Sequence, residues 1–199
     1  MRPPAALLPC MCLFVLCAAC SGVRVPGETK LRERNITIEY YNIAEAYAGL
    51  GQYEKAVEYY TRALPEKSLS DAAYYKLGRC SALAQDYGTA ERVFKALLRK
   101  DPANADISAS LAYVYAMQGD VERALSIYDG ILQENPDVLE PRKNFIALLV
   151  HKDELERAKA QLDILREKFP DDEDIPSFLE ELYGADSVPP DEDAAQSLP

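Results

Sequence analysis

Residues 47–64 read "YAGLGQYEKAVEYYTRAL". Apolar residues recur at helical spacing on both sides of Gly51-Gln52, and that pair has turn chemistry. The stretch therefore predicts one amphipathic helix folding back into another. A small residue, Ala56, stands early in the second helix. The placement recurs: Ala56, Ala90, Ala124 and Ala158 are spaced 34 residues apart, and Pro102, Pro136 and Pro170 keep the same step. A period of this length describes stacked supersecondary units rather than a globule with a single core.

Aligned on the alanines, four units span 37–70, 71–104, 105–138 and 139–172. In the second, "DAAYYKLGRCSALA" places Tyr74, Leu77, Gly78 and Ser81 on one helical face, and "YGTAERVFKALLRK" does the same with Tyr87, Ala90, Phe94, Leu97 and Leu98. The short polar turn between them requires an antiparallel pair. Small residues, Ala44, Gly78 and Ala112 on first helices and the four alanines on second helices, allow close backbone approach. Tyr60, Phe94, Tyr128 and Leu162, each four positions after a repeat alanine, are expected to wedge between neighbouring helices. The prolines end each second helix, and the Asp or Asn beside them favours the next helix start.

This pattern of small crossing residues, wedge and closing proline resembles the tetratricopeptide repeat family over about Thr37 to Asp172. The resemblance implies an all-α fold, a right-handed superhelical stack of antiparallel helix pairs. It also implies that the first helix of each unit lines a concave face on which a protein or peptide partner lies. Carried over position by position, the lining is Tyr41, Asn42 and Glu45; Tyr75, Lys76 and Arg79; Tyr113 and Met117; Lys143 and Asn144. Tyrosines with a few cations suit such a role, since they combine apolar area with hydrogen bonding. The cations do not stand at the positions of the family's carboxylate clamp. Other departures are Tyr40, Tyr74, Ser108 and Arg142 in place of an early Trp, Pro65 ending unit one in place of the late proline, and bulky Ile146 where a small residue is expected.

After unit four, residues 173–184 carry an apolar stripe of Ile175, Phe178, Leu179 and Leu182 and end at Gly184, as a capping helix should. Residues 185–199 have no apolar pattern and read as a disordered acidic tail, which is expected to fold back on the basic lining and compete with the partner. Residues 171–199 hold ten Asp or Glu and no Lys or Arg, the bulk of a net charge of −11. An acidic chain without a basic stripe is not built for nucleic acid.

At the other end, "MRPPAALLPCMCLFVLCAACSG" has one Arg, an apolar run and small residues, which reads as an export signal over 1–19; the run is shorter than the ~20 residues a spanning helix needs. "LCAAC" resembles the bacterial lipobox, with Cys17 at the position where Leu is usual, and implies lipid on Cys20. Cys80 is then the sole remaining thiol, so no internal disulfide forms. Residues 20–36 are expected to be a linker, its first part up to ~50 Å long if extended. The resemblance implies a chain anchored through Cys20 to a membrane of the bacterial envelope, facing the periplasm. Ser21 lacks the Asp that favours inner-membrane retention, which leans toward the outer membrane.

Nothing in the sequence assembles a catalytic or metal site. His151 is the sole histidine, no glycine-rich phosphate loop is present, and the acids at 171–174 precede a helix start, where acids belong on electrostatic grounds. The reading is a non-enzyme without cofactor or metal: a membrane-anchored scaffold that grips a protein or peptide in its groove. The other reading is a small-ligand-binding or transporter-associated component of the envelope. Exposed array ends leave self-association open.

Overall fold

Helices form where the apolar period is unbroken and stop at the turn residues. The computed structural model describes residues 27–184, which form nine helices: α1 (Glu28–Gly49), α2 (Tyr53–Ala63), α3 (Ser70–Leu83), α4 (Tyr87–Leu98), α5 (Ala105–Met117), α6 (Val121–Glu134), α7 (Leu139–His151), α8 (Leu155–Lys168) and α9 (Ile175–Tyr183). Each packs on its neighbours in sequence, and the first helices of successive units also touch, α3 on α5 and α5 on α7.

The turn inside each hairpin is built the same way four times. Gly51, Gln85, Gly119 and Asp153 occupy one register position and all adopt left-handed φ, at 70°, 63°, 85° and 63°. The next residue's N–H reaches back to a carbonyl five positions earlier: Gln52 to Tyr47 (2.9 Å), Asp86 to Ser81 (2.8 Å), Asp120 to Tyr115 (2.9 Å) and Glu154 to Leu149 (2.9 Å). These bonds satisfy carbonyls that the helix end leaves without partners, and a left-handed residue is what lets the chain turn tightly enough to make them. Asp86, Asn104 and Asp120 then cap α4, α5 and α6, accepting from the backbone N–H of Thr89, Ile107 and Arg123 at 3.0, 3.1 and 3.3 Å. Unit four departs from the expected start signal: Val138 precedes α7 without a side-chain cap, while Asp137 pairs with Lys168.

The four repeat alanines are fully buried, and so are the wedges Tyr60, Phe94, Tyr128 and Leu162. Burying a side chain such as Phe94 or Leu162 contributes about 1.5–3 kcal/mol. At the crossing in unit two, a Cβ on Gly78 would stand 2.8 Å from Val93 Cγ1 and 2.9 Å from Phe94 Cε1, so this crossing has no space for a methyl group. Unit four makes the opposite trade. Ile146 fills the place of Ala44, Gly78 and Ala112, the smaller Leu162 replaces the aromatic wedge, and both are fully buried. The core runs on through the stack as two overlapping clusters, one from Ala44 to Ala124 and one from Ala112 to Leu182, with Ile127 and Leu148 packed against both. α9 packs on α8 with Ile175, Leu179 and Leu182 buried.

Arg142, at the family's Trp position, is buried to 2 % exposure. Its guanidinium donates to Gln161 Oε1 and, at 2.6 Å, to the Pro136 carbonyl. It thereby ties α7 to α8 and to the turn before α7. Burial lowers its pKa from the usual arginine value.

Residues 28–36, expected as the end of a linker, are instead the first turns of α1, which begins at Glu28 after Gly27 at φ 90°. Between Glu28 and Ile36 the chain has neither Gly nor Pro, and Arg32 pairs with Glu28 one turn away at 3.1 Å, so nothing stops the helix from extending beyond the repeat. Among the described residues no helix is long and apolar enough to cross a membrane. The export signal, Cys20 and the acidic tail lie outside the described residues.

Candidate functional site

The first helices α1, α3, α5 and α7 present one register face side by side, and the expected lining residues divide into three groups there. Tyr75, Arg79, Tyr113 and Asn144 come together. They line a cavity of about 460 Å³ between α3, α5 and α7, joined by Leu83, Asp106, Ala109, Ser110, Glu140 and Pro141 among others. Tyr75 is fixed from both sides: its ring lies 5.9 Å from that of Phe94, and its hydroxyl is 3.2 Å from Ser110 Oγ. Ser110 gives its own proton to the Asp106 carbonyl at 2.8 Å, so Tyr75 is the donor of the pair. Tyr113 is 38 % exposed, with its ring open to an occupant.

Tyr41, Glu45 and Lys76 form a second group one unit away. Glu45 accepts from the Tyr60 hydroxyl and, at 3.2 Å, from Lys76, while the Tyr41 ring stands edge-on to Tyr60 at 5.6 Å. Burial alone would raise the Glu45 carboxyl, but the hydrogen bonds from Tyr60 and Lys76 overcome it and hold its pKa below the usual range. Tyr60 is driven the other way, well above an ordinary phenol, by burial and by the carboxylate it serves. Asn42 is exposed beside this group. The network holds unit one to unit two, and it engages Lys76 internally.

The remaining two stand apart. Met117 is 47 % exposed beyond the cavity wall, toward the end of α5. Lys143 turns to the far end of the stack, where it pairs with Asp174, with Asp172 at 3.3 Å and with Glu140 at 3.7 Å. These carboxylates raise its pKa, the hydrogen bond to Asp174 most of all and against the effect of burial. The acids expected merely to complement a helix start thus also fasten α9 to α7.

Asp106, Ser110, Glu140 and Leu83 are cavity residues that sequence reasoning missed. The 34-residue register leads to two of them, since Ser110 follows Asn42 and Lys76 and Leu83 precedes Met117; Asp106 and Glu140 share a position with Ile38 and Ala72, at which no lining residue was expected. Cys80 is buried, and burial pushes its thiol pKa up despite Arg79 beside it, so it is a packing residue. Among the described residues no group of three or more His, Cys, Asp or Glu could hold a metal ion.

Models of the tetratricopeptide repeat match residues 38–65, 81–137 and 116–182. The chain is a tetratricopeptide repeat protein. It is 30% identical over 187 residues to an uncharacterized lipoprotein of Treponema pallidum (strain Nichols), an alignment that covers 91% of each chain. Solved structures of the same fold include those of MamA and YrrB. The 41-to-end fragment of MamA from Desulfovibrio magneticus RS-1 has a TM-score of 0.60 at 20% identity, covering 69% of this chain and 77% of that one. YrrB, a tetratricopeptide repeat protein with an unusual peptide-binding site, has a TM-score of 0.55 at 23% identity, covering 85% and 97%. At these identities the likeness to solved structures is one of fold. Membership of this family describes an interaction scaffold.

Proposed function

We propose that this tetratricopeptide repeat protein is a lipid-anchored adaptor of the bacterial envelope, which holds a protein or peptide partner in the cavity between α3, α5 and α7. The observation that carries the binding role is the convergence of Tyr75, Arg79, Tyr113 and Asn144 from three successive units on one cavity. A cavity assembled from three repeats suits an extended segment better than a compact molecule, because the units offer the same contact position again at each step. The anchoring role is supported by "LCAAC" at residues 16–20 and by the lipoprotein relative that matches nearly the whole chain.

Crosslinking in intact cells, followed by identification of the attached polypeptide, tests the binding role. Tyr75→Ala and Arg79→Ala should each deplete the adduct while leaving the helical signal intact. Undiminished crosslinking in both variants would remove the cavity from the function. Mass spectrometry of the mature N-terminus tests the anchor, with a diacylated or triacylated Cys20 expected. An unmodified Cys20, or cleavage elsewhere, would refute it.

A further inference from the structure

The charge on the cavity wall specifies what kind of segment fits. Of the cations on the concave face, Lys76 is engaged by Glu45 at 3.2 Å and Lys143 by Asp172, Asp174 and Glu140. Arg79 makes no ion pair with any described residue and stands on the α3 side of the cavity. The α5 and α7 side carries Asp106 and Glu140, one repeat apart in register, both exposed. Asp106 makes no ion pair with a described residue, and Glu140 has only the 3.7 Å approach of Lys143, whose ammonium two other carboxylates already hold.

Acids in the first turn of a helix complement its dipole, which explains the residue types but not the direction they face. Asp71, in the first turn of α3 but one register position earlier, lies on another side of its helix and meets Lys100 at 2.7 Å. Asp106 and Glu140 instead line the same cavity, with apolar surface from Leu83, Ala109, Pro141 and Tyr113 alongside. An aliphatic stem with a positive head matches this arrangement. The stem covers the apolar surface, and the head reaches the carboxylates with the Tyr113 ring beside it.

Building on the proposed groove, we infer that the partner segment carries a lysine or arginine that docks between Asp106 and Glu140. On the α5 and α7 side the same charges disfavour the acidic tail, because Asp186, Asp191, Glu192 and Asp193 would meet carboxylates of their own sign there.

The test is selection of a phage-displayed random dodecapeptide library on the full chain held in nanodiscs, with the Tyr75→Ala/Arg79→Ala double variant as the counter-selection. Enriched clones should be richer in Lys and Arg than the input. A synthetic clone should lose about tenfold in affinity to the chain carrying Asp106→Asn and Glu140→Gln, since two partly exposed charge pairs together account for roughly one factor of ten. Binding should also weaken as salt is raised. Clones without a cationic bias, or affinity unchanged by the two substitutions, would overturn the inference and leave the groove standing. No enrichment over the counter-selection would overturn the groove reading and this inference with it.

Discussion

Gly78→Ala is the substitution whose outcome the packing decides against the local preference of the helix. In an exposed helix interior, replacing Gly by Ala stabilises by about 1 kcal/mol. At Gly78 the new Cβ would lie 2.8 Å from Val93 Cγ1 and 2.9 Å from Phe94 Cε1, where unstrained carbon contacts begin near 3.5 Å. Neither neighbour can swing into solvent, because Val93 and Phe94 are 2 % and 1 % exposed. Overpacking of this size costs about 1–3 kcal/mol, so the net effect is a destabilisation of about 1 kcal/mol. Phe94→Leu copies the smaller wedge that unit four places against Ile146. In that background the contact with the Phe94 ring is relieved while the 2.8 Å approach to Val93 Cγ1 remains, so Gly78→Ala should cost less than it does in the parent chain. Urea denaturation of the four chains of this double-mutant cycle reads the coupling directly. A Gly78→Ala chain more stable than the parent, with the same increment in both backgrounds, would refute the volume-trade account.

Gln85 holds the left-handed position that Gly51 and Gly119 hold in units one and three, so Gln85→Gly should stabilise by about 0.5–1 kcal/mol and raise the urea midpoint, whereas Gly119→Ala should lower it by a similar amount. Because hydrogen bonds hold the Glu45 carboxyl below its unfolded pKa, its contribution is complete above that value, about 4.3, and drains away as pH falls through the folded-state pKa. Glu45→Gln should therefore lower the melting temperature at neutral pH and narrow the loss on acidification, as thermal scans from pH 7 to pH 3 would show. Lys143→Met should release α9 from α7: hydrogen exchange should speed up in residues 175–183 and stay unchanged in α1–α4, which lie units away.

The repeat was legible because it is written in residues whose volume is the message. Ala56, Ala90, Ala124 and Ala158 and their wedges are buried where the period places them. Ile146 looked like a departure only when read alone; Leu162, on the facing helix, makes room for it. The start of α1 was not legible, since the charged residues from Glu28 to Ile36 suit either a helix or a linker, and the partner that ties this segment to the array, Glu66 on Arg34 at 3.4 Å, comes from the turn after α2. Arg142 was flagged by its place in the repeat, but its burial depends on Gln161 and Pro136, which only the fold brings to it. At the candidate site, Tyr75, Arg79, Tyr113 and Asn144 followed from the register. Lys143 did not, because its partners Asp172 and Asp174 stand at the junction of unit four with α9, where the repeat register gives no guide to side-chain contacts. Whether a cation is available to a ligand depends on three-dimensional neighbours that spacing does not encode.

The way the helices contact one another has a mechanical consequence. Hairpins joined in series behave like springs end to end, so their compliances add. Small angular changes at successive junctions sum to a perceptible opening or narrowing of the curve, with no hydrophobic contact broken at any one of them. An occupant spanning α3, α5 and α7 would then be accommodated by flexing of the whole array, and its grip would be sensitive to the stiffness of hairpins it never touches.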